Sequence, residues 1–134
     1  MDNLKSGAVG ELQTACELMR HDWHVSRPET PAPFDLVATN RNGHSVLVQV
    51  KSSEMPVRES DNRSPRYRFH TSRNNGVTYK KNDFHFWILF AMTHSVWFVI
   101  PSKEKLKTTT SWTPSGVNDP LEKWRNRFEL LQKV

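Results

Sequence analysis

The segment Phe34-Asp35-Leu36-Val37-Ala38-Thr39, the tetrapeptide Asn40-Arg41-Asn42-Gly43 and the run from His44 to Ser52 constrain this chain more tightly than any other part of it. Two β-rich runs flank a turn with Asn at its first position and Gly at its fourth. That chemistry suits a type I turn followed by a left-handed glycine bulge. A loop of Arg41 to Gly43 makes Asn40 and His44 the closing pair, and Asp35 then falls opposite Gln49. Opposed residues share a face of a hairpin, as do alternate residues of one strand. Leu36, Ala38, Val46, Val48 and Val50 therefore form one apolar face, and Asp35, Gln49 and Lys51 project together from the other. A slip of one residue would scramble both sets.

The rest of the chain can be placed around this hairpin. Ser6 reads as an N-cap, and Val9, Leu12, Ala15, Cys16 and Met19 follow at helical spacing, which predicts a helix from about Gly7 to Arg20. Trp23-His24-Val25 reads as a short strand and Pro28, Pro31 and Pro33 as a loop. Residues 53 to 65 are polar and loop-like, and Tyr67 to Thr71 suits a further strand. Phe84 to Met92 and Val96 to Ile100, turning at Thr93-His94-Ser95, predict a buried hairpin. Residues 108 to 118 read as irregular polar loop. Asp119 followed by Pro120 is an N-cap and first-turn proline, and Leu121, Trp124, Phe128 and Leu131 line one face of a last helix. With 134 residues, the expectation is a single domain over 1–134, an α/β fold with a mixed central β-sheet flanked by helices.

Charge is concentrated. The formal net charge is +5, and residues 51 to 81 hold eight Lys and Arg against three Asp and Glu, so this segment carries the whole excess. No acid occurs from Ser64 to Lys81, where Arg66, Arg68, Arg73, Lys80 and Lys81 are interleaved with Tyr67, Phe69 and Tyr79. This is the footprint of contact with a phosphate backbone. Ser53, at the end of its strand, joins that nucleic-acid-facing set. Cys16 is the single cysteine, which excludes an internal disulfide and a thiolate zinc site and suits a reducing, intracellular home, nucleoid-associated if the source is bacterial or archaeal. The N-terminus has no apolar signal core. The longest apolar stretch, 84 to 100, is interrupted by polar residues, so no membrane partner is expected.

Asp35, Gln49 and Lys51 on one face suggest phosphodiester hydrolysis, in which carboxylates hold a divalent cation and a lysine serves the attacking water or the scissile phosphate. One acid is a thin ligand set. Glu11, on the first helix beside Gly7 and Gly10, is the candidate for the second. The ordered set Gly10-Glu11, Pro33-Phe34-Asp35-Leu36-Val37 and Val48-Gln49-Val50-Lys51-Ser52-Ser53, with Tyr79 and Asp83 ahead of an aromatic strand ending Val99-Ile100-Pro101, resembles the PD-(D/E)XK nuclease superfamily. The similarity is to its branch of group I intron homing endonucleases and archaeal Holliday-junction resolvases.

That resemblance implies a restriction-endonuclease-like core and a Mg2+- or Mn2+-dependent endodeoxyribonuclease acting on double-stranded or branched DNA. It implies Glu11 and Asp35 as metal ligands, the Val50 carbonyl as a further ligand and Lys51 as the catalytic lysine. Gln49 stands where the family pattern has an acid. Its amide oxygen can coordinate but brings no charge, which leaves open a second reading, a nucleic-acid-binding or structure-recognising module with weakened catalysis. One hydrolytic centre per chain also implies a homodimer or higher homo-oligomer for cutting two strands. The aromatic hairpin of 84 to 100 and the last helix are the expected interface.

Overall fold

The computed structural model describes residues 1–71, 79–80, 82–116 and 118–133. The elements, in chain order, are helix α1 (Asn3–Arg20) and strands β1 (His24–Ser26), β2 (Leu36–Thr39), β3 (Ser45–Ser53), β4 (Tyr67–His70), β5 (Phe86–Ala91), β6 (Val96–Pro101) and β7 (Thr109–Trp112), followed by two short 3-10 helices, Pro120–Trp124 and Phe128–Lys133. Strands β1-β2-β3-β5-β6 form one five-stranded sheet, and β4 and β7 form a separate two-stranded ribbon. Within the sheet only β3 and β5 run parallel; the other pairs are antiparallel. The sheet is therefore mixed, as expected.

The β2–β3 hairpin has the anticipated register, with Leu36 opposite Val48 and Ala38 opposite Val46. Its loop chemistry explains why. Gly43 takes a φ of +84°, and the Asn40 side-chain oxygen accepts from the main-chain N–H groups of Asn42 and His44. Leu36, Ala38, Val46, Val48 and Val50 are buried with Ala15 and Leu18 of α1, with Phe86, Ile88 and Val99, and with Phe128 and Leu131 of the last 3-10 helix. The opposite face of the sheet packs on a second apolar cluster. There Trp87, Leu89, Phe98 and Ile100 meet Tyr67, Phe69 and Trp112 of the ribbon and Leu121. One face is thus covered by helix and the other mainly by the ribbon.

Five expectations are corrected. Helix α1 starts earlier than the sequence pattern suggests: Asp2, not Ser6, is its N-cap and accepts from the Lys5 N–H. Its buried face is Gly10, Thr14, Ala15 and Leu18, whereas Leu12 and Met19 are about half exposed, at 52% each. Residues 109–112, read as loop, form β7, because the outward face of an edge ribbon tolerates Thr and Ser while Trp112 turns inward and is 1% exposed. The single last helix is instead two 3-10 turns interrupted at Arg125 to Arg127. The break is forced by topology. Leu121 belongs to the ribbon-side core and Phe128 and Leu131 to the helix-side core, so the chain must pass around the edge of β6 between them. It does so with Asn126 at a φ of +51°, hydrogen-bonded to both the N–H and the carbonyl of Trp97. Finally, the hairpin proposed as interface is interior: Phe84, Phe86, Trp87, Phe90 and Phe98 are all buried.

The buried face of α1 can be tested by stability. Leu18→Ala is expected to cost about 2–5 kcal/mol in urea unfolding. Leu12→Ser is expected to change stability by no more than about 0.5 kcal/mol. Equal losses would place the helix on its other face.

Candidate active site

Asp35 immediately precedes β2, where its N–H donates to the Val48 carbonyl at 2.9 Å. The paired register itself ends at Leu36 opposite Val48, so this bond sets Asp35 against the same Val48 as a bulge, and the expected Asp35–Gln49 pair is not formed as a ladder pair. Its carboxylate Oδ2 accepts from the Val50 N–H at 2.9 Å. Gln49 and Lys51 alternate along β3 with Val48 and Val50, which enter the helix-side core. Gln49 is 6% exposed and Lys51 is partly buried, with its ammonium 5.8 Å from the centroid of the Tyr79 ring. Serine 53 ends β3, paired with Ala91.

Glu11 reaches this point from α1. The helix lies against β3 at Gly10, where a Cβ would fall 2.3 Å from the Ser52 Oγ and 2.4 Å from its Cβ. Only a residue without a side chain allows that approach. The Thr14 hydroxyl donates to the Gly10 carbonyl and accepts from the Trp97 indole, which ties the same helical turn to β6. Glu11 forms an ion pair with Arg27, and Glu11, Arg27 and Asp35 line one open cavity of about 480 Å3.

The electrostatics follow from this crowding. Burial pushes the Asp35 carboxyl above its ordinary 3.8; the Val50 N–H opposes that, the negative charge of Glu11 adds to it, and Lys51 and Arg27 act against it. Burial likewise pulls the Lys51 ammonium below its ordinary 10.5, with Asp35 opposing. The Asp35 and Glu11 carboxylates, with a buried amide and a strand carbonyl following on β3 at Gln49 and Val50, make an oxygen donor set of the kind hard divalent cations take. Among the described residues no group of three His, Cys, Asp or Glu side chains is placed to hold a metal, so Glu11 and Asp35 would need amide, carbonyl or water oxygens to complete a shell. On this chemistry the residues present fit Mg2+ or Mn2+.

The structure therefore brings Glu11, Asp35, Val50 and Lys51 to one place, with Gln49 buried on β3 next to Val50. Of the basic candidates, Arg66 and Arg68 lie elsewhere, at the ribbon. Tyr67 and Phe69 turn inward and Arg68 and His70 outward on β4, as their alternation predicts. Arg66 and Arg68 both pair with Glu59, and Arg63 lies 3.9 Å from the same carboxylate. Lys80 is exposed, and its N–H donates to Asp83 next to Tyr79. Arg73 and Lys81 lie outside the described residues. Arg27 was not anticipated from the sequence. Its signal is the pairing of β1 with β2: Ser26 faces Val37, so Arg27 follows onto the level of Leu36, beside Asp35.

With this geometry, a hairpin acid and lysine on a mixed sheet facing a helical glutamate, the chain falls among the nucleases of its fold. A family model of PD-(D/E)XK endonucleases matches residues 1–129, and the chain belongs to that family. Its fold is similar to that of a bacterial homing endonuclease, I-Ssp6803I, with a TM-score of 0.78 at 21% identity over 98% of this chain and 93% of that one. No curated protein matches the chain.

Two outcomes check the site. Gly10→Ala is expected to destabilise the protein by about 1–3 kcal/mol as overpacking does. Adding Ser52→Gly, which removes both clashing atoms, should recover much of that loss; no recovery would mean that the helix and β3 are not in contact there. The second outcome concerns pH. Because the folded Lys51 binds its proton less well than the unfolded chain does, stability is lost as pH falls from 10.5 through the lowered value and stays lost at neutral pH. In EDTA at pH 7, Lys51→Met should therefore melt above the wild type. A lower melting temperature would contradict the burial of the ammonium.

Proposed function

We propose that this endonuclease is a Mg2+- or Mn2+-dependent endodeoxyribonuclease, of the homing or junction-resolving type, that cuts double-stranded or branched DNA inside the cell, at the nucleoid if its source is bacterial or archaeal. The observation that carries the reading is the convergence of Asp35, Glu11 and Lys51, with Asp35 held by the Val50 N–H. A divalent cation there supplies an acidified water and neutralises charge on the phosphate. Glu11, Asp35, the Gln49 amide and the Val50 carbonyl hold it. Lys51, stacked near Tyr79, donates its N–H groups to the attacking water or to the phosphate oxygens. Ser53 and the cations Arg66, Arg68, Arg73, Lys80 and Lys81 contact the DNA backbone.

The neutral, buried Gln49 favours a second reading, a DNA-binding or structure-recognising module whose cation binds weakly. Nicking of supercoiled plasmid separates the two. Cleavage with Mg2+ or Mn2+ that is abolished by EDTA and lost in Lys51→Ala supports the nuclease; binding without cleavage supports the module. Gln49→Glu adds a negative charge to the ligand set and is expected to lower the Mg2+ concentration needed for half-maximal cleavage. A higher requirement would remove Gln49 from that set.

Cutting two strands calls for two centres, and a two-fold homodimer provides them. With the aromatic hairpin interior, the apolar surface for it is the outer stripe of α1, where Leu4, Leu12 and Met19 are exposed. Sedimentation is expected to give a dimer that Leu12→Glu with Met19→Glu converts to monomer. A monomeric wild type that still makes double-strand breaks in one binding event would overturn the pairing.

A further inference from the structure

We propose that Arg27 is an internal counter-ion: it holds Glu11 while no metal is bound, and passes to a backbone phosphodiester of the DNA when a divalent ion takes Glu11. Metal and DNA then bind with positive coupling. The inference rests on the metal-dependent reading above and adds a residue and a sequence of exchanges to it.

Three features carry it. The guanidinium is paired with Glu11, a carboxylate that the cation would need, so the two cations compete for one oxygen. Arg27 also lines the same cavity as both acids and acts, as the smallest of the contributions, on Asp35 through space. Its side chain is 50% exposed against 25% for Glu11, so it can leave the pair without opening the core. In the metal-free protein Arg27 and Lys51 offset Glu11 and Asp35. A divalent ion adds two positive charges and frees the guanidinium at the mouth of an open cavity, where an incoming phosphodiester is the complementary charge. A guanidinium suits phosphate oxygens because its forked donors match them. Glu29, exposed on the same rim, is the competing destination.

The test compares Arg27→Gln with its parent, both in a Lys51→Ala background that keeps the DNA intact. Titration with Ca2+ alone should show Arg27→Gln binding about two- to fivefold more tightly, the range of an exposed ion pair. Affinity for a short random-sequence duplex is then measured against salt. In EDTA the two slopes of log affinity on log salt should coincide. In Ca2+ the variant should be shallower by about 0.9, one phosphate contact. Arg27→Lys, which keeps a cation, should restore most of the slope. Unchanged Ca2+ affinity, a slope difference already present in EDTA, or equal slopes in Ca2+ (the guanidinium having turned to Glu29) would each overturn the exchange. If the parent binds no Ca2+ and the wild type cuts no DNA with Mg2+ or Mn2+, the nuclease reading itself fails. An equal melting temperature of parent and variant in EDTA guards against a folding effect.

Discussion

Asn40 closes the β2–β3 hairpin by accepting two main-chain hydrogen bonds, and the register it closes decides where every group at the site stands. With that register, five apolar side chains face α1 and Asp35 meets the Val50 N–H. Strand β3 is also the point where the antiparallel part of the sheet joins its parallel part: Val48 is paired on both sides, and Gln49 and Lys51 follow it in the stretch paired with β5. The glutamate of α1 can join them only because Gly10 lets the helix lie directly on Ser52. Hairpin register and helix approach are thus two conditions for one cluster of charges. Each is enforced by a residue that carries no charge of its own.

The hairpin was legible because two independent signals agreed: turn chemistry at Asn40 and Gly43 and strict alternation from Leu36 to Val50. The β5–β6 hairpin was legible from its run of aromatic and branched residues. The buried face of α1 was not. Half of it is Gly10 and Thr14, a glycine and a hydroxyl residue that carry no hydrophobic signal, while the apolar Leu12 and Met19 lie about half exposed. Strand β7 was hidden for a related reason, since only one of its four side chains, Trp112, is buried. The break in the last segment was hidden because a single helical stripe and two stripes serving different cores have the same apolar spacing.

The basic surface also differs from what linear counting suggests. Glu59 gathers Arg66 and Arg68, so part of the positive charge between residues 51 and 81 is spent within the protein. Conversely, Lys105, Lys107 and Lys123 line the same groove of about 660 Å3 as Arg66 and Arg68, together with Glu104 and Asp119, although they lie far outside residues 51 to 81 in the sequence. Folding brings these lysines beside the ribbon and widens its cationic face beyond the segment that composition singles out. The potential that an anionic polymer meets is set by this spatial sum and not by the order of the residues.

The turn around β6 bears on how copies of this chain can associate. An edge strand with free main-chain groups is a template on which another strand can add. Here Asn126 occupies both the N–H and the carbonyl of Trp97, and Arg125 bridges to Phe98. The middle of that edge is closed to a visitor. At the opposite edge, β1 is only three residues long. Extension of the five-stranded sheet by a strand from another chain is therefore disfavoured at both of its edges, which leaves the strands that hold the charged cluster undisturbed by contacts made elsewhere on the surface.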